Sequence, residues 1–194
     1  MRKSKMWRML TVAAVAASMT CGVFGVQSVS AADKKTLKVA MECGYAPYNW
    51  TQPDDSNGAV QISGSSDYAY GYDVMMAKNA DELGYDLEIV KLDWDSLVPA
   101  VQSGQVDCVI AGQSITKERQ QMVDFTDPYY YASIITLVKG DGDYKDAASV
   151  EDLKGATVTS QQNTIWYDSC LPQIPDGNIL PAQESAPAML VALE

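Results

Sequence analysis

A parallel α/β sheet with ligands at the carboxyl ends of its strands is what this sequence predicts. Two observations carry that reading. Short apolar, β-branched runs alternate with helical patterns along the chain. Glycines such as Gly84 and Gly104 then close several of the helical patterns. Strands joined this way run parallel, and the crevice outside their carboxyl ends is where such sheets bind ligands.

The order of elements begins after an N-terminal address. Arg2, Lys3, Lys5 and Arg8 precede an apolar run, Met9 to Met19, and small residues, Val29 to Ala32, precede Asp33. This is the layout of a secretory signal, with cleavage expected after Ala31 or Ala32. The run is short for a membrane span. Cys21 offers a lipoprotein alternative, but Ser18-Met19-Thr20 before it is a poor lipobox.

Leu37–Met41 reads as a buried strand and Thr51–Tyr70 as a long polar loop. Asp73 is placed to cap a helix with apolar positions Val74, Ala77 and Leu83, stopped by Gly84. Asp86–Leu92 alternates as a strand. Asp95 or Ser96 is placed to cap the helix Leu97–Ser103. Val106–Ala111 reads as a strand, Thr116 starts a helical turn, and Ala132–Val138 is a β-branched run expected to be a strand.

A second unit begins after Gly140. Ser149-Val150-Glu151-Asp152 resembles a capping box. Ala156–Ser160 and Asn178–Leu180 read as strands, Thr164–Leu171 as a helix, and Ser185 as the cap of a last helix. That helix pattern is still running at Glu194, and the second unit is short for a domain, so the chain reads as cut short.

Composition narrows the chemistry. Among 194 residues, 14 are Lys or Arg, 25 are Asp or Glu and none is His, for a net charge of −11. No Ser-His-Asp or Cys-His pair and no H-E-x-x-H zinc site can be built without histidine. Residues 1–32 hold four of the cations and no anion, so the chain after them carries −15. A nucleic-acid binder needs the opposite sign, and that class is excluded. No metal site or cofactor motif is evident; Cys43, Cys108 and Cys170 form no C-x-x-C, and phosphate loops are absent. Cys108 is expected to be a buried free thiol, and Met75-Met76 to pack in the core.

The segment Ala111-Gly112-Gln113-Ser114-Ile115-Thr116-Lys117-Glu118-Arg119 is the densest chemical signal. It follows a strand and opens a helical turn, so free N–H groups favour an anion there. Arg119 can offer two parallel N–H bonds to a carboxylate. Ser114 can donate another, and the Gly112 carbonyl can accept from an ammonium. That is chemistry for a zwitterion. The alternative is that Arg119 pairs with Glu118, Asp124 or Asp127 on a solvated face.

Tyr45, Tyr48, Trp50 and Trp94 lie after strands, where a cleft would open. Flat rings suit a ligand's apolar stem or a cation, and also suit ordinary half-buried packing. Glu42 sits at the same rim. Asp93 and Asp95 are better read as a helix cap and its neighbour than as an acid–base pair.

In their order and spacing these residues resemble the polar amino-acid solute-binding proteins of ABC importers, family 3. The resemblance rests on Leu37–Tyr48, Gly71-Tyr72-Asp73-Val74, Asp93–Asp107, Gly112-x-Ser114-Ile115-Thr116-x-x-Arg119 and Val123-Asp124-Phe125-Thr126-Asp127-Pro128-Tyr129-Tyr130, and spans about residues 36–165. It implies a type II periplasmic-binding-protein-like fold, two α/β lobes closing on one amino acid at a hinge. Lobe 1 is expected over 33–131, and an incomplete lobe 2 over 132–194. By the family's pattern, Arg119 grips the ligand α-carboxylate. Ser114 and the Gly112 carbonyl hold its ammonium. Tyr45 and Trp94 flank its stem, and Glu42 faces its side chain.

The same pattern assigns Gln162-Asn163-Thr164 to a lobe 2 turn whose Thr164 adds to the carboxylate site. Asn163 departs from the usual glycine, and Ala111 from a serine found in some members. A lobe 2 aspartate and the returning part of lobe 1 are expected beyond residue 194. The implied activity is capture of an amino acid, polar or cationic, by an exported monomer, and its delivery to a membrane permease. The rivals are a dehydratase-like enzyme and a receptor sensor domain on the same fold.

Overall fold

The computed structural model describes residues Lys34 to Glu194; the signal-peptide assignment lies outside the described residues. The first strand, β1 (Lys35–Met41), ends in three consecutive fully buried residues, Val39, Ala40 and Met41. A run buried on both faces is the mark of a central parallel strand. It is followed by β2 (Gly44–Tyr45), β3 (Asn49–Gln52), β4 (Val60–Gln61) and β5 (Tyr68–Tyr70). Then come helix α1 (Tyr72–Ala77), β6 (Tyr85–Lys91), helix α2 (Leu97–Gln102), β7 (Cys108–Val109) and the single turn α3 (Lys117–Gln120). The later part holds β8 (Thr157–Val158), β9 (Asn178–Ile179) and α4 (Ala186–Leu193).

The central sheet has the order β6-β1-β7, all parallel, with Lys35 opposite Tyr85 through Met41 opposite Lys91. Helix α2 packs on β1 and β7. The core joins Val39, Met41 and Ile89 of the sheet to Val74 and Ala77 of α1 and to Leu97 and Ala100 of α2. A second cluster, Leu153, Ala156 and Ile174, lies beside the parallel pair β8–β9.

Several expectations are corrected. Thr51–Tyr70 is not one loop. It carries β4, β5 and the end of β3, which with β2 form an antiparallel sheet of order β2-β3-β5-β4. Trp50 meets Tyr70 across it, rings perpendicular at 5.1 Å, the cross-strand pairing that stabilises a small sheet. Ala132–Val138 forms no strand: residues 131–137 are exposed, and β-branched propensity needs a partner ladder to act on. Helix α1 ends at Ala77, passing into a 3-10 turn, and leaves Leu83 73% exposed. Met75 and Met76 are on its exposed face, not in the core. Thr164–Leu171 is a short π turn at Trp166–Cys170 followed by a 3-10 turn, since Pro172 cannot donate within a regular helix. The strands at Val106–Ala111, Ala156–Ser160 and Asn178–Leu180 each shrink to two residues.

Other expectations hold. Ser185 Oγ accepts from the Ala188 N–H and starts α4. Asp152 Oδ2 accepts from the Ser149 N–H at 2.9 Å while Ser149 Oγ accepts back from the Asp152 N–H at 3.4 Å, the reciprocal bonds of a capping box.

Gly71 is required where it stands. Its φ is +126°, and a Cβ would lie 2.2 Å from the Tyr48 carbonyl oxygen. The close approach lets the N–H groups of Tyr72 and Asp73 donate to the carbonyls of Pro47 and Tyr48. Helix α1 is thereby fastened to the turn between β2 and β3.

Candidate functional site

Thr116 Oγ1 accepts from the Arg119 N–H at 3.2 Å and starts α3. That cap turns the Arg119 side chain back over the loop before it. Nη1 donates to the Ser114 carbonyl at 2.7 Å and Nη2 to the Asn163 carbonyl at 2.7 Å. Its Cζ lies 5.5 Å from the centre of the Trp94 ring. The guanidinium therefore bridges two distant loops over an aromatic face, and it pairs with none of Glu118, Asp124 or Asp127. Burial pulls its pKa down from the ordinary value, with the charge of Asp168 opposing. An arginine stays charged under such a shift.

Trp94 is 8% exposed, and its Nε1 also donates to the Asn163 carbonyl, at 3.4 Å. Asn163 has a φ of +54°. Asparagine tolerates that left-handed conformation better than most side chains, so the turn survives the departure from glycine. The conformation turns the Asn163 carbonyl toward Arg119 and its side chain toward Asp95.

Asp95 is not a cap. Ser96 occupies the capping position without a side-chain bond, and a 3-10 turn, Trp94–Ser96, leads into α2. The Asp95 carboxylate instead accepts from Asn163 Nδ2 at 2.7 Å and from Gln162 Nε2. Glu42 is 8% exposed and accepts from Gln161 Nε2 at 3.2 Å. Burial pushes its pKa up; the Gln161 bond opposes this, while the charges of Asp93 and Asp95 add to it. Thr164 is buried, but its hydroxyl is engaged locally, donating to the Gln161 carbonyl at 2.7 Å and accepting from the Tyr167 N–H.

Tyr45 stacks on Tyr48 at 4.9 Å and meets Trp166 at 5.8 Å. Gly112 takes a φ of +60°, and its N–H donates to the Tyr129 hydroxyl at 2.8 Å. Asp73 is not a cap either: Gly71 holds the capping place of α1, and the fully buried Asp73 carboxylate accepts from Asn49 and Tyr129.

Among the eight residues singled out from the sequence, Arg119, Trp94 and Ser114 converge directly, and Glu42 meets the 161–163 turn, which itself carries Gln162. Tyr45 and Gly112 belong to the wall of a neighbouring cavity of about 450 Å³, which Ser114 also lines. Glu42, Trp94, Arg119, Gln162 and Thr164 do not line that cavity. Its wall includes Val98, Val101, Val109, Phe125 and Ile134. A zwitterion needs a cation for its carboxylate and acceptors for its ammonium. The Arg119 group supplies the cation, while the cavity wall holds no Lys or Arg but does carry Gly112 and Ser114. Sequence reasoning missed Asp95 and Gln161 as bridging groups, and Asn49, Asp73 and Tyr129 as a buried network.

Residues 37–184 match the bacterial extracellular solute-binding proteins, family 3, and the chain belongs to that family. The arginine-binding extracellular protein ArtP of Bacillus subtilis (strain 168) is 33% identical over 162 residues, covering 83% of this chain and 57% of that protein. The chain spans about half the length of the curated relatives it matches. Among solved structures, a substrate-binding protein of an amino acid ABC transporter from Streptococcus pneumoniae, bound to L-arginine, matches with a TM-score of 0.68 and 30% identity. That match covers 81% of this chain and 62% of that one. An ancestral amino acid-binding protein, a precursor of cyclohexadienyl dehydratase, matches with a TM-score of 0.67 and 34% identity, over 81% and 65%. The fold is thus that of the type II periplasmic binding proteins, with mixed parallel and antiparallel sheets. Among the described residues no helix is long and apolar enough to cross a membrane.

Proposed function

We propose that this chain captures one amino acid outside the cytoplasm and serves an ABC importer. It does so as a monomer, at the periplasm or the outer face of the membrane, and hands its ligand to a membrane permease. The observation that carries the reading is the position of Arg119: a guanidinium held over Trp94 between the carbonyls of Ser114 and Asn163. A ligand carboxylate gains two parallel charged bonds by taking the fork from those carbonyls. The Gly112 carbonyl and Ser114 hydroxyl take the ammonium, and Thr164 and Gln162 close over the site from the second lobe, 132–194.

The favoured ligand has a cationic side chain. Glu42 is a buried carboxylate with one amide partner, and a guanidinium or ammonium replaces that amide with a charged bond. The arginine-binding protein of B. subtilis and the arginine-bound structure from S. pneumoniae support the same choice. Binding and release need a shift between open and closed lobes and no covalent chemistry.

A second reading is an enzyme of the dehydratase kind. It is favoured by the likeness to a precursor of cyclohexadienyl dehydratase and by the raised pKa of Glu42, which suits a general acid. One experiment separates the two. A thermal-shift screen of the twenty amino acids should show arginine or lysine raising the melting point, because a ligand bound only by the folded state stabilises it. Incubation with prephenate or arogenate should leave both unchanged. Decarboxylated product without any amino-acid shift would establish the enzyme instead.

A further inference from the structure

One buried group has no part in that scheme. Asp73 is fully buried at the start of α1, and no cation contacts its carboxylate among the described residues. Its two oxygens serve opposite sides. Oδ2 accepts from Asn49 Nδ2 at 2.5 Å, and Oδ1 accepts from the Tyr129 hydroxyl at 2.7 Å.

Each partner passes the constraint on. Asn49 is fully buried, and its Oδ1 accepts from the Cys43 N–H at 2.7 Å. Cys43 stands at a φ of +55°, at the turn between Glu42 and Tyr45. The bond therefore fixes the bend that aims those two side chains. The Tyr129 hydroxyl, having donated to Asp73, accepts from the Gly112 N–H at 2.8 Å. With the N–H of Gly112 taken and its φ at +60°, the direction of the adjoining loop to Ser114 is set.

We propose that Asp73 is a positioning residue that sets both rims of the ligand cleft at once. Through Asn49 it holds the 42–45 rim, and through Tyr129 it holds the 112–114 rim. An ionised carboxylate suits this place because it only accepts, so neither arm can reverse its bond. The carboxamide of an asparagine there faces one arm with a donor and carries no charge, so it loses one bond and weakens the other, which had a charged acceptor. This inference rests on the amino-acid-binding reading above.

The test uses the full chain with three measurements: calorimetric affinity for the best amino acid, the melting point, and hydrogen exchange of the Cys43 and Gly112 amides. Tyr129→Phe keeps the ring and removes one hydroxyl. It should weaken binding about ten- to a hundredfold, the worth of a bond to a charged group, and speed exchange at Gly112 but not at Cys43. Asp73→Asn should speed exchange at both amides, and the double variant should bind no more weakly than Asp73→Asn alone. Wild-type affinity in Tyr129→Phe, or a lowered melting point in Asp73→Asn with unchanged affinity, overturns the positioning role while leaving the functional reading intact. A wild-type chain that binds none of the twenty amino acids overturns both.

Discussion

The guanidinium of Arg119 donates to the main-chain carbonyl of Asn163 at 2.7 Å, a contact between groups 44 residues apart. It shares that acceptor with the indole of Trp94. On the proposed function, a ligand carboxylate would displace this neutral acceptor and leave a charged pair in its place. Arg119→Ala should therefore weaken amino-acid binding by about 1.5–3 kcal/mol, the worth of hydrogen bonding to a charged group, at this half-buried position. Arg119→Lys keeps the charge but not the planar fork, and should recover only part of the loss. Titration calorimetry on both variants reads the difference, and unchanged affinity in Arg119→Ala would rule out the role.

Asp95 holds the same turn from its other side, through the amides of Gln162 and Asn163. The carboxylate is exposed, so the pair of bonds is worth about 1 kcal/mol rather than the buried value. Asp95→Ala should speed amide exchange across 161–164 while leaving the 35–41 strand protected. Equal protection in variant and wild type would show that the turn is held by Arg119, Trp94 and Glu42 alone.

Glu42 gives a pH dependence with a definite sign. Burial raises its pKa above the ordinary 4.5. Between those two values the folded chain keeps a proton that the unfolded chain releases. Its contribution to stability is thus greatest at low pH and is lost as pH climbs through the raised value. Asp73, raised by burial from 3.8, acts in the same direction. Melting curves from pH 4 upward should show the wild type losing ground to Glu42→Gln. Parallel curves would mean that Glu42 titrates alike in both states.

Leu97 is fully buried on α2 against the central sheet. Leu97→Ala should cost about 2–5 kcal/mol in a urea titration, by lost transfer energy and the cavity left behind. A cost below 0.5 kcal/mol, far outside that range, would mean that the α2 face does not pack as described.

The central strand and α2 were legible because burial writes itself into neighbouring residues: Val39-Ala40-Met41 and Leu97 with Ala100 are local patterns. Arg119 was legible for a similar reason, with Thr116 three places before it as the cap of α3. The two aspartates were not. Asp73 and Asp95 both look like caps, because an acidic residue before an apolar helix is a local signal. Their true partners are Asn49 and Tyr129 for one and Gln162 and Asn163 for the other, far along the chain. Ala132–Val138 failed in the opposite way. Its composition is that of a strand, but a strand exists only with a neighbour, and propensity carries no information about where that neighbour is. In 51–70 the turn residues were read and the short strands between them were not, since two or three residues are too few to show a period.

The Cys43 thiol bears on how the molecule ages. It is 2% exposed, and burial pushes its pKa up to about 12. At neutral pH such a sulfur is a thiolate in only about one molecule in 10⁵, and the thiolate is the form that reacts. Electrophiles and peroxides will pass it by, and the bend beside Glu42 keeps its shape without any reducing agent to guard it.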